Sequence, residues 1–328
     1  MMRPVTHSTY GVNCESDVSC ERRKITVGIC TFRRPSLFLT LESIAGQTGI
    51  QKHLVKIVVS DNDEVATLGD ELDAFARGRK LDIEYIHAPD RNISIARNAC
   101  LDHADGDFLV FIDDDEIAEP NWLRTIIDAA KDTGAGVVFG PAHAVYADDA
   151  PGWIVENDFH SNIPAPTRGV IETGFSSNVL LDLRNPSVRG LRFSLEYGKT
   201  GGEDIDFFFR AHRRNVPMHI CMEASVREPV EEKRMSGGWV LRRRYRTGQI
   251  YGHCAMTSGT RAGLGPRLSL MARSLAKGLY CGVQAILPPW GLSRTVFWIM
   301  RAGFHAGVVT GVFSRPKSAF YGVETATH

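Results

Sequence analysis

The sequence predicts an α/β protein in which a mostly parallel sheet is wound with helices. From Lys24 onward, short apolar runs rich in β-branched residues alternate with amphipathic segments. Strands that alternate with helices of about a dozen residues are typical of a parallel sheet. Ligands of such sheets bind at the carboxyl ends of the strands, so the residues that follow each strand are the candidates for function.

The elements follow from hydrophobic periodicity and from the residues that break it. Strands are predicted at 25–30, 55–60, 81–86, 107–112, 136–140 and 176–183, and helices at 36–47, 64–77, 93–103, 120–131 and 203–214. The strand at 107–112 is the most apolar of the set. Residues 141–170 contain four prolines and follow neither period, which predicts a long irregular excursion.

Charge is unevenly distributed along the 328 residues, although the net charge is zero. Residues 1–232 hold 24 Lys and Arg against 37 Asp and Glu, whereas residues 233–328 hold 14 cations and a single acid, Glu324. A basic terminal region predicts an anionic partner, either phospholipid or nucleic acid. With 43% hydrophobic residues the chain has enough apolar material for a core, which excludes wholesale disorder.

The cysteines and residues 1–23 indicate in which cellular compartment the protein is expected. The seven cysteines form no CxxC pair and no zinc spacing, which argues against a disulfide scaffold and favours a reducing compartment. Residues 1–23 contain no apolar run of signal-peptide length, so we expect a disordered leader and a protein on the cytoplasmic side. The sequence contains no unbroken run of 18 apolar residues, so no membrane-spanning helix is predicted.

The strongest functional signal is Asp113-Asp114-Asp115, which follows the strand at 107–112. Because side chains alternate along an extended segment, Asp113 and Asp115 point to the same side. Three neighbouring carboxylates repel one another unless a cation or a proton relieves them, and Mg²⁺ or Mn²⁺ prefers oxygen ligands. The alternative is that these acids only favour the start of the next helix. Three consecutive acids exceed what a helix start needs, so the pattern favours a metal site.

Two further polar segments follow the first two strands. Thr31, Arg33 and Arg34 follow the strand at 25–30 and are suited to phosphate or a base edge, or they form a plain strand-to-helix loop. Asp61 follows the strand at 55–60 and either accepts a hydrogen bond from a nucleoside or forms an Asx turn. Neither segment matches the glycine-rich loops of dinucleotide-binding or P-loop enzymes.

Two helix starts carry the remaining candidates. Arg97 lies in RNISIARN (91–98), near a helix terminus that attracts phosphate, unless this edge is only a solvated face. In TGGEDIDFF (200–208) two glycines allow a ligand to approach the backbone closely. Glu203 and Asp204 then open a helix whose dipole keeps Asp204 ionised and able to accept a proton. Favourable placement of acids at a helix start explains the same pattern.

Together and in this order, the five segments resemble the inverting family 2 glycosyltransferases of the GT-A fold, in particular the bacterial glucosyltransferases of succinoglycan-type exopolysaccharide synthesis. FIDDDE (111–116) and GGEDIDFFFR (201–210) carry the resemblance most specifically. It implies a Rossmann-like GT-A domain over residues 24–232. A basic, amphipathic, helical and membrane-associating extension would follow over 233–328.

The resemblance implies roles for four residues on the donor side. Thr31 and Arg34 would lie beside the nucleotide, and Asp61 matches the acid that meets the uracil or the ribose. Arg97 matches a residue near the donor.

The resemblance also places the metal and the catalytic groups. Asp113 and Asp115 match the DxD pair, with Asp115 the direct metal ligand and Asp113 nearer the ribose. Asp204 matches the general base, and Glu203 would support it or touch the acceptor.

Later segments match the family less well. WVLRRRYRTG (239–248), with Arg243, Arg244 and Arg246, only loosely echoes the late motif of the family that meets the diphosphate. No third metal ligand is identified, and His212 and His219 are the remaining candidates.

The resemblance implies a metal-dependent transfer of a sugar, glucose in the related enzymes, from a UDP-sugar to a lipid-linked oligosaccharide with formation of a β-glycosidic bond. Mn²⁺ or Mg²⁺ would be the cofactor. The protein would be peripheral, at the cytoplasmic face of the inner membrane, binding an anionic membrane surface and no nucleic acid. The alternatives are a sugar-phosphate nucleotidyltransferase, which the missing glycine-rich, Lys-bearing loop disfavours, and a non-catalytic nucleic-acid-binding protein that uses the basic region.

The apolar pattern of residues 264–313 favours a phospholipid surface over nucleic acid as the partner of the basic region. Leu268, Met271, Leu275, Leu279 and Val283 recur at spacings of three and four, which predicts a helix with an apolar stripe. The segment 295–313 carries an arginine and a histidine at its middle, which disfavours a spanning helix. We therefore expect helices that lie in the membrane interface. The alternative is that these stripes pack as core or as an oligomer interface.

Overall fold

The computed structural model describes residues 22–258, 263–287 and 291–315. The predicted leader therefore lies outside the described residues, except for its last two. The strands are β1 (Lys24–Thr31), β2 (Leu54–Asp61), β3 (Ile83–His87), β4 (Phe108–Ile112), β5 (Ile117–Ala118), β6 (Val137–Phe139), β7 (Ala142–Val145), β8 (Asn178–Asp182), β9 (Met218–Ile220) and β10 (Val226–Pro229). The helices are α1 (Leu37–Ala45), α2 (Gly69–Arg79), α3 (Ile93–His103), α4 (Trp122–Thr133), α5 (Gly152–Asn157), α6 (Pro186–Arg189), α7 (Glu203–Arg213), α8 (Gly237–Thr257), α9 (Leu264–Ile286) and α10 (Leu292–Gly311).

A seven-stranded sheet forms the centre of the protein, in the order β3-β2-β1-β4-β8-β6-β9. Strand β1 pairs in parallel with β2 and β4, so their carboxyl ends share one edge. The branched and aromatic side chains of these strands are buried on both faces, as a parallel sheet covered by helices requires. The predicted mostly parallel sheet wound with helices is confirmed.

The element bounds agree with the periodicity except at α2. This helix begins at Gly69, five residues later than the hydrophobic pattern predicts. The carboxylate of Asp63 accepts the backbone N–H of Glu64 at 2.7 Å and also holds Arg33. A side chain that satisfies the backbone locally competes with helix formation, so the helix begins after this turn.

Two features of the sheets were not predicted. Strand β8 runs antiparallel to both β4 and β6. A second, three-stranded sheet of β5, β10 and β7 sits beside the first and brings the chain back to the edge at which β1, β2 and β4 end. Only β7 comes from the irregular excursion, and all three strands are two to four residues long, which gives too little periodicity to recognise.

The described part of the basic C-terminal region is mostly helical and continuous with the α/β body. Helix α8 follows a 3₁₀ turn at Glu232–Arg234 and packs on α7, where Ile205, Phe209, Ile250 and Cys254 share a small core. The predicted division at residues 232 and 233 therefore falls in a short turn between packed elements.

Helices α8 and α10 approach backbone to backbone. A Cβ added at Gly307 would lie 1.9 Å from the carbonyl oxygen of Tyr245, and one at Gly248 would lie 2.0 Å from that of Phe304. Only glycine permits such an approach. Helix α10 is thus a packing element, in agreement with the packing alternative for this segment. None of the described helices is both long and apolar enough to cross a membrane.

We expect Gly307→Ala to lower the stability of the protein, because its methyl group collides with backbone that cannot rotate away. Overpacking of this kind costs about 1–3 kcal/mol, which exceeds the gain in helix propensity of about 0.5–1 kcal/mol. The matched control is Gly282→Ala in α9, where no atom lies within 4 Å of the added Cβ. Thermal unfolding should show a lower Tm for Gly307→Ala only; equal Tm values for the two variants would contradict the packing.

Candidate active site

The ends of β1 and β4 meet in a buried hydrogen bond. The parallel register pairs Gly28 with Phe111, which brings Thr31 level with Asp114 three residues further on. The Thr31 hydroxyl donates to Asp114 Oδ2 at 2.7 Å, and Thr31 is fully buried. Thr31 therefore ties the end of β1 to the acidic triplet that follows β4.

Arg34 lies over the acidic triplet. Its Nη1 donates to Asp115 Oδ2 at 2.5 Å, and its Nε lies 3.7 Å from Asp114 Oδ1. Although burial opposes a charged guanidinium, Asp115 and Asp114 raise the pKa of Arg34. Its side chain remains about one third exposed, at 34%, so this cation faces both the carboxylates and the open side of the site.

A second arginine reaches the same carboxylate from a segment that sequence reasoning missed. Arg234 Nη2 lies 3.9 Å from Asp115 Oδ2, and its Nη1 donates to Glu228 Oε1 at 2.9 Å. Strand β10 brings Glu228 here by pairing with β5 and β7. The sequence signal was the charge density of residues 227–234, which alone did not indicate where the segment lies.

A buried ion pair joins the two strongest motifs. Arg97 in α3 donates to Glu203 at the start of α7, and its Nη2 lies 3.7 Å from Asp113 Oδ1. Arg97 is 7% exposed and Glu203 6%. Burial alone would lower the pKa of Arg97, but Glu203 and Asp113 raise it above the ordinary value. The structure thus places Arg97 between the acidic triplet and the GGED segment.

Helix α7 begins abruptly beside this pair. Gly201 and Gly202 have φ angles of 77° and 101°, which glycine adopts without strain. The carboxylate of Asp204 accepts the backbone N–H of Ile205 at 2.7 Å. Burial, followed by the charge of Glu203, raises the pKa of Asp204 to about 7, while Arg97 acts in the opposite direction. Asp204 therefore changes protonation near neutral pH.

Other acids at this edge are also shifted. Burial raises the pKa of Asp114 to about 7, opposed by Arg34 and reinforced by Asp115. Burial and then the charge of Asp115 raise the pKa of Glu228 to about 7. Burial likewise raises the pKa of Asp113. Perturbed carboxylates grouped in this way are typical of functional sites and of cation sites.

Asp61 lies at the end of β2, next to Thr31 in the register. One carboxylate oxygen accepts the Tyr85 hydroxyl at 2.8 Å, and the other accepts the N–H of Asp63 at 3.0 Å. Asp63 in turn holds Arg33 with two hydrogen bonds of 2.7 and 2.9 Å. Asp61 is buried, so these hydrogen bonds fix its carboxylate at the end of β2.

The carboxylates at the end of β4 fit a hard divalent cation. Asp113 and Asp115 offer oxygen ligands of the type that Mg²⁺ and Mn²⁺ prefer. No ready cluster of three or more His, Cys, Asp or Glu ligands occurs in the described part of the chain. One or two carboxylates, completed by substrate phosphates and water, are the usual arrangement for Mg²⁺ at nucleotide sites.

The two candidate histidines do not complete this set. His212 lies nine residues after Glu203 in α7, roughly 14 Å along the helix axis. His219 lies in the outermost strand β9, paired with Val138 of β6. Neither residue joins a metal-ligating group among the residues that the structure describes.

The arginines of α8 are mostly engaged inside the protein. Arg243 stacks over Trp239 at 5.2 Å. Burial lowers the pKa of Arg243, while the nearby Glu228 raises it. Arg244 donates to the carbonyl oxygen of Phe159 at 3.0 Å, and Arg246 donates to that of Thr200. Arg243 thus belongs to the site, whereas Arg244 and Arg246 hold α8 to the body.

Comparisons with known proteins give the family of the chain. The glycosyl transferase family 2 model matches residues 26–182. The succinoglycan biosynthesis protein ExoM of Rhizobium meliloti (strain 1021) is 38% identical over 307 residues, covering 94% of this chain and 98% of that protein. The glucosyl-dolichyl phosphate glucuronosyltransferase of Haloferax volcanii is 26% identical over 217 residues, covering 62% of this chain and 65% of that protein.

A solved structure shows the same fold. The mannosyltransferase PcManGT from Pyrobaculum calidifontis, in complex with GDP-Man and Mn²⁺, matches with a TM-score of 0.60 and 16% identity, covering 90% of this chain and 88% of that one. The wound sheet is therefore that of the GT-A glycosyltransferases. Together with the long match at 38% identity, this shows that the chain belongs to glycosyltransferase family 2 and is a glycosyltransferase.

Proposed function

We propose that this enzyme transfers a sugar, glucose, from a UDP-sugar to a hydroxyl of a lipid-linked oligosaccharide, with inversion to a β-glycosidic bond, in bacterial exopolysaccharide synthesis. The reaction takes place at the cytoplasmic face of the inner membrane. The observation that carries the proposal is the pair of acidic groups on either side of Arg97, Asp113 on one side and Glu203 with Asp204 on the other. The relative named for succinoglycan biosynthesis supports the pathway class.

Asp204 is the group suited to take the proton of the acceptor hydroxyl. A general base works best when its pKa lies near the operating pH, and burial raises the pKa of Asp204 to about 7. Glu203 is less suited, because Arg97 is bound to one of its oxygens. A hydroxyl held by Asp204 attacks the anomeric carbon from the face opposite the leaving diphosphate, so one displacement inverts the configuration.

The donor side uses the ends of the strands. Asp113 and Asp115 would hold Mn²⁺ or Mg²⁺, and the ion would supply charge stabilisation for the leaving diphosphate. Arg34 lies against Asp115 and remains partly exposed, so it contributes positive charge to the same group. Arg243, beside Glu228, adds a further cation, while Thr31 and Asp61 lie on the nucleoside side.

Arg97 keeps the two halves of the site in one arrangement. It neutralises Glu203 and faces Asp113, and its charge favours the ionised form of Asp204. Arg97 is therefore a positioning residue for the base as well as a neighbour of the donor. Replacing it would leave Glu203 buried without a counter-charge.

The other function classes receive less support. A nucleotidyltransferase is disfavoured by the glycosyl transferase family 2 match over residues 26–182. The nucleic-acid alternative depends on the basic run at 242–246, of which Arg244 and Arg246 are bonded to backbone inside the protein.

Asp115→Asn tests the metal assignment and the donor class together. Calorimetry with UDP-glucose, UDP-glucuronate and GDP-mannose should show Mn²⁺-dependent binding of one donor to the wild type. The variant should lose that metal dependence and its turnover, because it lacks a charged ligand. Asp105→Asn is the control, since Asp105 is exposed and precedes the opposite end of β4. Unchanged Mn²⁺ dependence in Asp115→Asn, or no binding of any nucleotide sugar, would overturn the proposal.

The pH profile tests Asp204. A base must be deprotonated to accept a proton, so kcat/KM should rise with pH through an apparent pKa of about 7. Asp204→Asn should keep donor binding but lose transfer by about 10²–10⁴-fold, and the acidic limb should vanish from the residual rate. Equal losses of donor binding and transfer would mark Asp204 as a binding residue instead.

Arg97→Met should destabilise the fold strongly, because it leaves the Glu203 carboxylate buried and unpaired. Breaking one partner of a buried pair costs about 3–5 kcal/mol. The control Arg192→Met breaks an exposed pair with Asp102, at 2.9 Å, and should change stability by about 0.2–1 kcal/mol. Adding Glu203→Gln to Arg97→Met should recover part of the loss in denaturant unfolding. Additive losses in the double variant would show that the two side chains are not coupled.

A further inference from the structure

Helix α9 exposes a long apolar face. Leu264 is 68% exposed, Leu279 72% and Ile286 80%. The other exposed apolar side chains of this helix are Leu268, Leu275, Tyr280 and Val283. A contiguous exposed apolar patch of this kind marks an interaction surface rather than a random scatter of surface leucines.

The helix has three distinct sides. At 3.6 residues per turn, Leu268, Leu275 and Leu279 fall on one side, while the buried Ser274 and Cys281 fall on the side toward α10. Arg273 and Lys277 lie on the remaining flank, between the apolar side and the packed side. The stripe predicted from spacing is therefore real, and its leucines are left uncovered by the described residues.

Helix α10 behaves differently from α9. Its Met300, Val308 and Gly311 are buried, and Gly307 and Gly311 meet the backbone of α8. Helix α10 therefore lies between α8 and α9, and α9 is the outermost of these three helices. The sequence predicts that both helices lie in a membrane interface, and the exposed apolar face restricts that prediction to α9.

The positive charge of α9 indicates which partner its exposed apolar face would bind. Neither α9 nor α10 contains an acidic residue, and Arg267, Arg273 and Lys277 all belong to α9. A second copy docked on this face by two-fold symmetry would bring the same cations together. An anionic phospholipid surface accepts the leucines among its acyl chains and the cations at its headgroups.

We propose that α9 is the membrane-docking element of this enzyme and lies in the surface of an anionic phospholipid bilayer, with α10 and α8 holding the catalytic site above it. Arg246 of α8 is bonded to the backbone of Thr200, just before the GGED segment, so the orientation of α9 fixes that of the site. The docking proposal depends only on the exposed apolar side chains and the cations of α9. The biological role of docking, delivery of the site to a lipid-linked acceptor, rests on the proposed function.

Flotation of the full-length protein with vesicles tests the docking. Vesicles of phosphatidylcholine with phosphatidylglycerol should carry the wild type upward, and vesicles of phosphatidylcholine alone should carry much less. Leu275→Gln with Leu279→Gln should lower vesicle partitioning by about tenfold or more, since two apolar groups are lost from the buried face. Leu39→Gln is the matched control, because Leu39 is an equally exposed leucine on α1. Arg273→Gln with Lys277→Gln should weaken binding to the anionic vesicles only.

The outcomes separate docking from catalysis. Hydrolysis of the nucleotide sugar in solution, without vesicles, should be the same in the α9 variants and the wild type. Wild-type protein that stays in the aqueous fraction with anionic vesicles would overturn the docking, even if donor hydrolysis is normal. A wild-type dimer in light scattering that becomes a monomer in the leucine variant would also overturn it and assign the face to a second copy. Vesicle binding without any donor turnover would instead contradict the proposed function.

Discussion

Charge balance at the carboxyl edge of the sheet is the constraint on which the rest of the structure depends. The acidic triplet, Glu203, Asp204 and Glu228 converge there, and burial raises several of their pKa values toward neutrality. Such a group is stable only if cations are brought to it from elsewhere in the chain. Arg34, Arg97 and Arg234 come from three separate elements, so the charge at this edge ties together α3, α7, β4 and the small sheet.

The arginines also divide the edge into two parts with different properties. Arg34 and Arg234 converge on Asp115 on the side open to solvent, which suits a metal-bound diphosphate. Arg97 is enclosed and keeps Glu203 paired, so of the two acids that open α7 it is Asp204 whose pKa of about 7 suits proton exchange near neutral pH. In the proposed reaction, charge stabilisation and proton transfer would therefore occur on opposite sides of Arg97.

The C-terminal helices extend this organisation away from the site. Helix α8 contributes Arg243 near the acids at one end and meets α10 through glycines along its length. Because backbone contacts leave little freedom for the helices to slide, α9 is carried at a defined position relative to the active site. An exposed apolar helix held in this way is suited to place a site next to a surface, which is consistent with an acceptor that carries a lipid.

The sequence by itself determined the wound sheet, its main elements and the order of the polar segments at the strand ends, because periodicity and strand-end chemistry are local properties. It also singled out Thr31, Asp113, Asp115, Glu203 and Asp204, which the structure brings to one edge. Only the tertiary structure decided that β8 is antiparallel, that Glu228 and Arg234 reach Asp115, and that Arg97 is bound to Glu203. The side-chain contacts join residues about a hundred positions apart, and the direction in which a strand enters the sheet leaves no trace in its own hydrophobic pattern. The tertiary structure likewise separated α9 from α10, since both carry similar apolar patterns and only packing shows which face stays exposed.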